Sequence, residues 1–134
     1  MKKFILLAVM IFAIVIGIIV FAFCGQRPFG DLKASDIVSA SVHLVPPDKT
    51  IQILEVHELV SHLKDVVVYN KDSSYHNYCG QGVTYLLVMS DGNQAEITAY
   101  NPFVIINGVG YRTKYEPCEK LNYYANKLLS TISD

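Results

Sequence analysis

The sequence predicts an α+β protein: an N-terminal transmembrane helix followed by an antiparallel sheet covered by two helices. Three observations carry this expectation. Phe4 to Phe23 is an unbroken apolar run containing one glycine, Gly17. Several later segments are β-branched or alternate polar with apolar residues, and short turn sequences join them. Two other stretches switch to helical spacing.

The apolar run comes first. Twenty residues at about 1.5 Å each make a rod of roughly 30 Å, the thickness of a bilayer's hydrocarbon core. The run is apolar on every face, so it does not read as a core helix, and the rest of the chain is too small to wrap it. A cleaved signal peptide would have a shorter apolar region and small residues at its end. Phe21 and Phe23 occupy those positions here, and Phe23 also disfavours lipidation at Cys24. Residues 1–23 are therefore expected to form a Lys-flanked, uncleaved anchor, with membrane lipid contacting residues 4–23. Lys2 and Lys3 precede it, whereas Arg27 and Lys33 beyond it are partly balanced by Asp31. The positive-inside rule then favours a single-pass cell-membrane protein, its N-terminus cytoplasmic and its C-terminal domain outside.

Residues 24–35 mix Gly, Pro and polar residues and read as a short tether. Residues 36–134 are expected to form the extracytoplasmic α+β domain. Asp36 to Val45 is β-branched and ends at Pro46-Pro47. Thr50 to Leu54 follows, completing a hairpin. Val56, Leu59, Val60 and Leu63 then fall on one face of a helix over about Glu55 to Asp65. Asp65 to Tyr69 is a compact strand, and Asn70 to Gly82 is a loop by composition.

The clearest β pattern lies beyond that loop. Val83, Tyr85, Leu87 and Met89 share one face of a strand, with Thr84, Leu86 and Val88 on the other. After Asp91-Gly92, the residues Ala95, Ile97 and Ala99 alternate with polar neighbours on the return strand. Phe103 to Ile106, Asn107-Gly108 and Val109 to Thr113 make a further hairpin, because Asn-Gly suits the tight two-residue turn. A terminal helix is expected over Cys118 to Ile132, with Pro117 in its first turn. Its apolar stripe is Leu121, Ala125, Leu128, Leu129 and Ile132.

Composition narrows the partners. Removing Lys2 and Lys3 from the eleven basic residues leaves nine against twelve acidic ones, a net of −3. No basic stripe is present, so nucleic acid is not an expected partner. The three cysteines are Cys24, Cys79 and Cys118. Cys79 and Cys118 form a candidate disulfide in an oxidising compartment, and two separate thiols are the competing reading. Neither has a CxxC partner, so no metal is expected at them.

The segment His57-Glu58-Leu59-Val60-Ser61-His62 departs from a zinc-protease helix. That motif needs HExxH, with both imidazoles one turn apart on one face. Here the second histidine is a residue late, about 140° around the helix. No metal, no cofactor and no catalytic set is expected. An envelope enzyme using the Cys79/His76 neighbourhood is the rival reading, resting only on the short spacing of the two residues. The strongest binding candidates are Tyr75, His76 and Tyr78, aromatic residues in a polar loop. The alternative is that these rings fold back and cap the sheet.

Four further segments carry a resemblance. They are Asp31 to Ala40 (DLKASDIVSA), Gly80 to Thr84 (GQGVT), Ala99 to Phe103 (AYNPF) and Gly108 to Cys118 (GVGYRTKYEPC). Together they resemble an uncharacterised family of small extracytoplasmic domains from clostridia-like Gram-positive bacteria. Similar domains occur behind membrane metallopeptidases of the β-lactam-sensor type. The resemblance covers most of residues 29–130 and implies a stand-alone sensory or interaction module, without protease activity. The expected function is thus a membrane-anchored binding or sensory domain, with a membrane protein among its candidate partners. A structural subunit of a membrane complex is the other non-enzymatic reading.

Overall fold

The computed structural model describes residues 1–132, except for the side chain of Ala22. It shows an N-terminal apolar helix, a seven-stranded antiparallel sheet and two further helices. Helix α1 spans Lys2–Cys24. Its Lys2–Phe21 stretch has a mean hydropathy of 3.4, and none of it is buried by the rest of the chain. It is long and apolar enough to cross a membrane.

Seven strands follow: β1 (Ile37–Val45), β2 (Lys49–Ile53), β3 (Val68–Lys71), β4 (Gly82–Met89), β5 (Gln94–Tyr100), β6 (Phe103–Ile106) and β7 (Val109–Thr113). Helix α2 (Val56–Lys64) separates β2 from β3, and α3 (Tyr115–Ile132) follows β7. The strand order across the sheet is β2-β1-β4-β5-β6-β7-β3. Hairpin connections explain most of it. The two departures are β4, which returns to pair with β1, and β3, which crosses to the far edge and pairs with β7.

Register sorts the side chains onto two faces. Ile51, Val42, Tyr85 and Ile97 lie in one row, and Leu44, Val83, Ala99 and Val104 in the next. These side chains are all buried and belong to one core with Leu59, Val60 and Leu63 of α2. Cys118, Leu121, Tyr124 and Ala125 of α3 complete that core. Full burial of a large aliphatic side chain is worth about 1.5–3 kcal/mol, so this face carries most of the apolar stabilisation. The other face reads Thr50, His43, Thr84, Thr98 and Ile105 across the sheet. Thr84 Oγ1 and Thr98 Oγ1 lie 2.9 Å apart there.

Three differences from the sequence expectation are physical in origin. The terminal helix starts at Tyr115, three residues early, so Pro117 still lies in its first turn, where no intrahelical donor is lost. Its buried stripe uses Cys118 and Tyr124, while Ile132 is exposed. Strand β3 begins at Val68, because Val66 and Val67 are consumed in core packing and in capping β7. The Val67 carbonyl accepts from the Thr113 hydroxyl at 2.8 Å and from the Lys114 amide at 2.9 Å.

The third difference is the segment read as a tether, which is packed against the domain. Phe29, Leu32 and Ala34 lie against the core. Gln26 and Val68 exchange two backbone hydrogen bonds of 2.8 Å, adding a short bridge outside β3. Gly25 makes this close approach achievable. Its φ is +70°, and a Cβ there would meet Val67 Cγ1 at 2.6 Å and the Val68 carbonyl oxygen at 2.9 Å. The end of α1 is thereby built into the sheet edge.

Candidate functional site

The sequence-selected loop folds onto the sheet face opposite the helices. Two short-range devices shape it. The Ser74 amide donates to Asp72 Oδ1 at 2.9 Å, starting a 3-10 turn over Ser74–Asn77. Arg112 Nε donates to Asp72 Oδ2, also at 2.9 Å, tying the loop to β7. Hydrogen bonds from Ser74 and then from Arg112 hold the Asp72 carboxyl at about 2, below its usual 3.8.

Phe103 is fully buried beneath this loop. The Tyr78 ring meets it edge-on at 5.0 Å, and the Tyr75 ring at 6.2 Å. The Arg112 guanidinium carbon lies 4.7 Å from the Phe103 ring centroid. Tyr75 also lies across Gly110, where a Cβ would come within 2.6 Å of its ring. The loop therefore brings Tyr75, His76 and Tyr78 together. Tyr75 is a half-buried cap, as in the folded-back alternative. His76 is exposed, with its ring 4.1 Å from that of Tyr75, and Tyr78 is 46% exposed. A cleft of about 360 Å³ runs between these rings and Thr98, Tyr100 and Ile105.

A second cleft, of about 400 Å³, lies where the same loop ends against α3. Sequence reasoning did not single it out. Cys79, Gly80 and Gln81 form one wall, Tyr100 and Asn101 the floor, and α3 the other wall. Helix α3 contributes Glu119, Asn122, Tyr123 and Asn126. Glu119, Asn122 and Asn126 are spaced i, i+3 and i+7, which sets them on one helix face. That polar stripe beside the apolar one was the available signal.

Carboxamides dominate the cleft. Asn126 Nδ2 donates to Gln81 Oε1 at 2.8 Å, and Gln81 Nε2 to Asn126 Oδ1 at 3.2 Å. Gln81 Nε2 also donates to the Pro46 carbonyl at 2.9 Å. Asn101 Nδ2 donates to the Tyr115 carbonyl at 3.1 Å and to Glu119 Oε2 at 3.3 Å. Those two acceptors fix the orientation of the Asn101 amide. Its Oδ1 is left buried without a hydrogen-bond partner, as is Asn122 Oδ1. An unpaired buried polar atom costs about 1–3 kcal/mol.

The thiols occupy different surroundings. Cys118 is buried, and its Sγ–H points to the Phe103 carbonyl at 3.6 Å. Burial pushes this thiol up to about 12. Cys79 is exposed, and both sulfurs are free. The two partners of the candidate Cys79–Cys118 disulfide are separate thiols in this structure, the second with its sulfur turned into the core. Cys79 and His76 open onto different clefts. His57 is exposed, while the His62 ring lies 5.2 Å from that of Tyr124. Among the described residues, no three His, Cys, Asp or Glu side chains converge as metal ligands would. No protein-family model matches the chain, and neither a curated protein nor a solved structure does.

Proposed function

We propose that the chain is a single-pass membrane protein displaying an extracytoplasmic domain that binds a ligand in a sensory role. The junction at Gly25 and Gln26 carries this reading. An apolar helix of bilayer length ends in two hydrogen bonds to the edge strand of the domain. Gly25, at φ +70° against Val67, brings the end of that helix directly onto the domain. Retention of the helix would hold the domain at the membrane surface, where tethering raises its effective concentration toward membrane partners. The charge of Lys2 and Lys3 supports placing the domain outside. Its resemblance to domains associated with β-lactam-sensor metallopeptidases supports the sensory role.

Exposed Cys79 provides the test. A membrane-impermeant maleimide applied to intact cells should label the peptide carrying Cys79, and Cys79→Ser should remove that label. Labelling of Cys79 only after lysis would place the domain in the cytoplasm and overturn the proposal.

A further inference from the structure

We infer that the edge of the domain from which α1 emerges is a receptor for the headgroup phosphate of an anionic phospholipid. This rests on the membrane-spanning role proposed above for α1 and gives the domain a second contact with the bilayer. A cleft of about 390 Å³ lies at the junction, lined by Phe23, Tyr69, Asn70 and Arg112. Phe23 is the penultimate residue of α1, and Gln26 shortly after it is hydrogen-bonded to Val68 of β3. With the apolar stretch of α1 in the hydrocarbon core, this cleft comes to the level of the lipid headgroups. Tyr69, 38% exposed, is an aromatic residue of the kind that sits at that level.

The cleft supplies donors. A guanidinium has five N–H groups. Arg112 Nε donates to Asp72 Oδ2, and the Tyr78 hydroxyl also lies near the guanidinium, which leaves donors for a further acceptor. Asn70 Nδ2 makes a long bond to the Lys71 carbonyl at 3.4 Å and has a second N–H. Guanidinium and amide donors side by side match the two free oxygens of a phosphodiester. Charge selects an anionic lipid. Residues 25–28, 66–72 and 109–114 build this edge and hold Arg27, Lys71, Arg112 and Lys114 against Asp72, a balance of +3. The rest of the domain then carries −6. Asp65 and Glu116 flank these segments and still leave the balance positive. Arg27, Lys71 and Lys114 are exposed, so their charge is open to the bilayer surface. The domain thus gathers its cations where α1 leaves and carries its acids elsewhere.

The test uses the isotope-labelled full chain in nanodiscs of phosphatidylcholine, with or without phosphatidylglycerol. Native mass spectrometry counts the lipids that each chain retains on ejection from the disc. Phosphatidylglycerol should be retained roughly fivefold or more beyond its share of the disc. In NMR, phosphatidylglycerol should shift the side-chain amide signals of Asn70 and leave those of Asn122 and Asn126, which line a different cleft. Inorganic phosphate and glycerophosphoglycerol, added to discs of phosphatidylcholine alone, should leave Asn70 in place. If either reproduces the shift, the site takes a soluble phosphate and the lipid assignment falls.

Asn70 is exposed, so Asn70→Asp should fold, and its added negative charge should lower the preference for phosphatidylglycerol roughly fivefold. Arg112→Gln should lower it at least as far. Because Arg112 also ties down Asp72, Arg112→Lys is the companion variant. It keeps the charge and should retain part of the preference, which separates loss of charge from loss of the loop. No preference in the unaltered chain, or an unchanged preference in Asn70→Asp, would overturn the assignment. A chain that fails to enter the discs would overturn α1 as a span, and this inference with it. Nanodiscs are open on both sides, so failure of the lipid preference is separable from failure of the proposed orientation, which the thiol labelling reads.

Discussion

The two faces of the sheet solve opposite problems with the same strands. Toward α2 and α3, alternate residues of β1, β4 and β5 present Val42, Leu44, Tyr85, Leu87 and Ile97 to a continuous core. The polar atoms there are few and mostly used, as in the hydrogen bond from the Tyr85 hydroxyl to the Leu121 carbonyl. On the other face, one residue along, the same strands present His43, Thr84 and Thr98. Only the β6–β7 end is covered, by a loop whose rings rest on Phe103. One face is held by area buried and the other by a few directional contacts. The clefts that could serve binding lie where the loop of the second face runs out. Regions held by few apolar contacts are also the ones that open locally at low cost.

The largest break in this contrast should come from the helix side. Leu121→Ala removes a fully buried side chain of α3 and is expected to destabilise the domain by about 2–5 kcal/mol in denaturant unfolding. The loop side should respond less. Gly110→Ala puts a Cβ within 2.6 Å of Tyr75 and the Asp72 carbonyl oxygen, an overpacking worth about 1–3 kcal/mol. It should shift the NMR signals of Tyr75 and His76 while leaving those of Leu121 and Ala125 in place. Disturbance of both faces alike would mean that the loop and the core are one cooperative unit.

Acid sharpens the comparison further. The folded Asp72 carboxyl lies at about 2, below its usual 3.8, so its contribution is fully present above about pH 4. It is lost as pH falls toward 2, when the proton blocks the bonds from Ser74 and Arg112. Signals of Ser74 to Tyr78 should therefore move over that range, and Asp72→Asn should abolish the change. The smallest effect is expected from Thr84→Ala. It removes one cross-strand hydroxyl pair on the open face and should cost about 1 kcal/mol or less.

Much of the element order was legible because it depends on local pattern. The alternation from Val83 to Met89 and the helical spacing of Leu59, Val60 and Leu63 each report one neighbouring surface. Asn107 and Gly108 both adopt positive φ, as their turn requires. The site was less legible. The three aromatic residues of the loop are grouped as expected, yet Tyr75 acts as a cap because Gly110, distant in sequence, leaves room for its ring. The carboxamide cleft joins Gln81, Asn101 and Asn126 from three elements, and no local pattern relates them.

The amino-acid sequence alone determined the apolar helix, the alternation of the strands and the two amphipathic helices. Each follows from a repeat that one short segment contains. Tertiary structure decided that β3 crosses to pair with β7, that Gln26 bridges to Val68, and that Cys118 turns inward away from Cys79. It also decided which carboxamide oxygens remain unpaired. Those outcomes depend on which distant groups compete for the same space and the same hydrogen bonds, and that competition exists only once the chain has closed on itself.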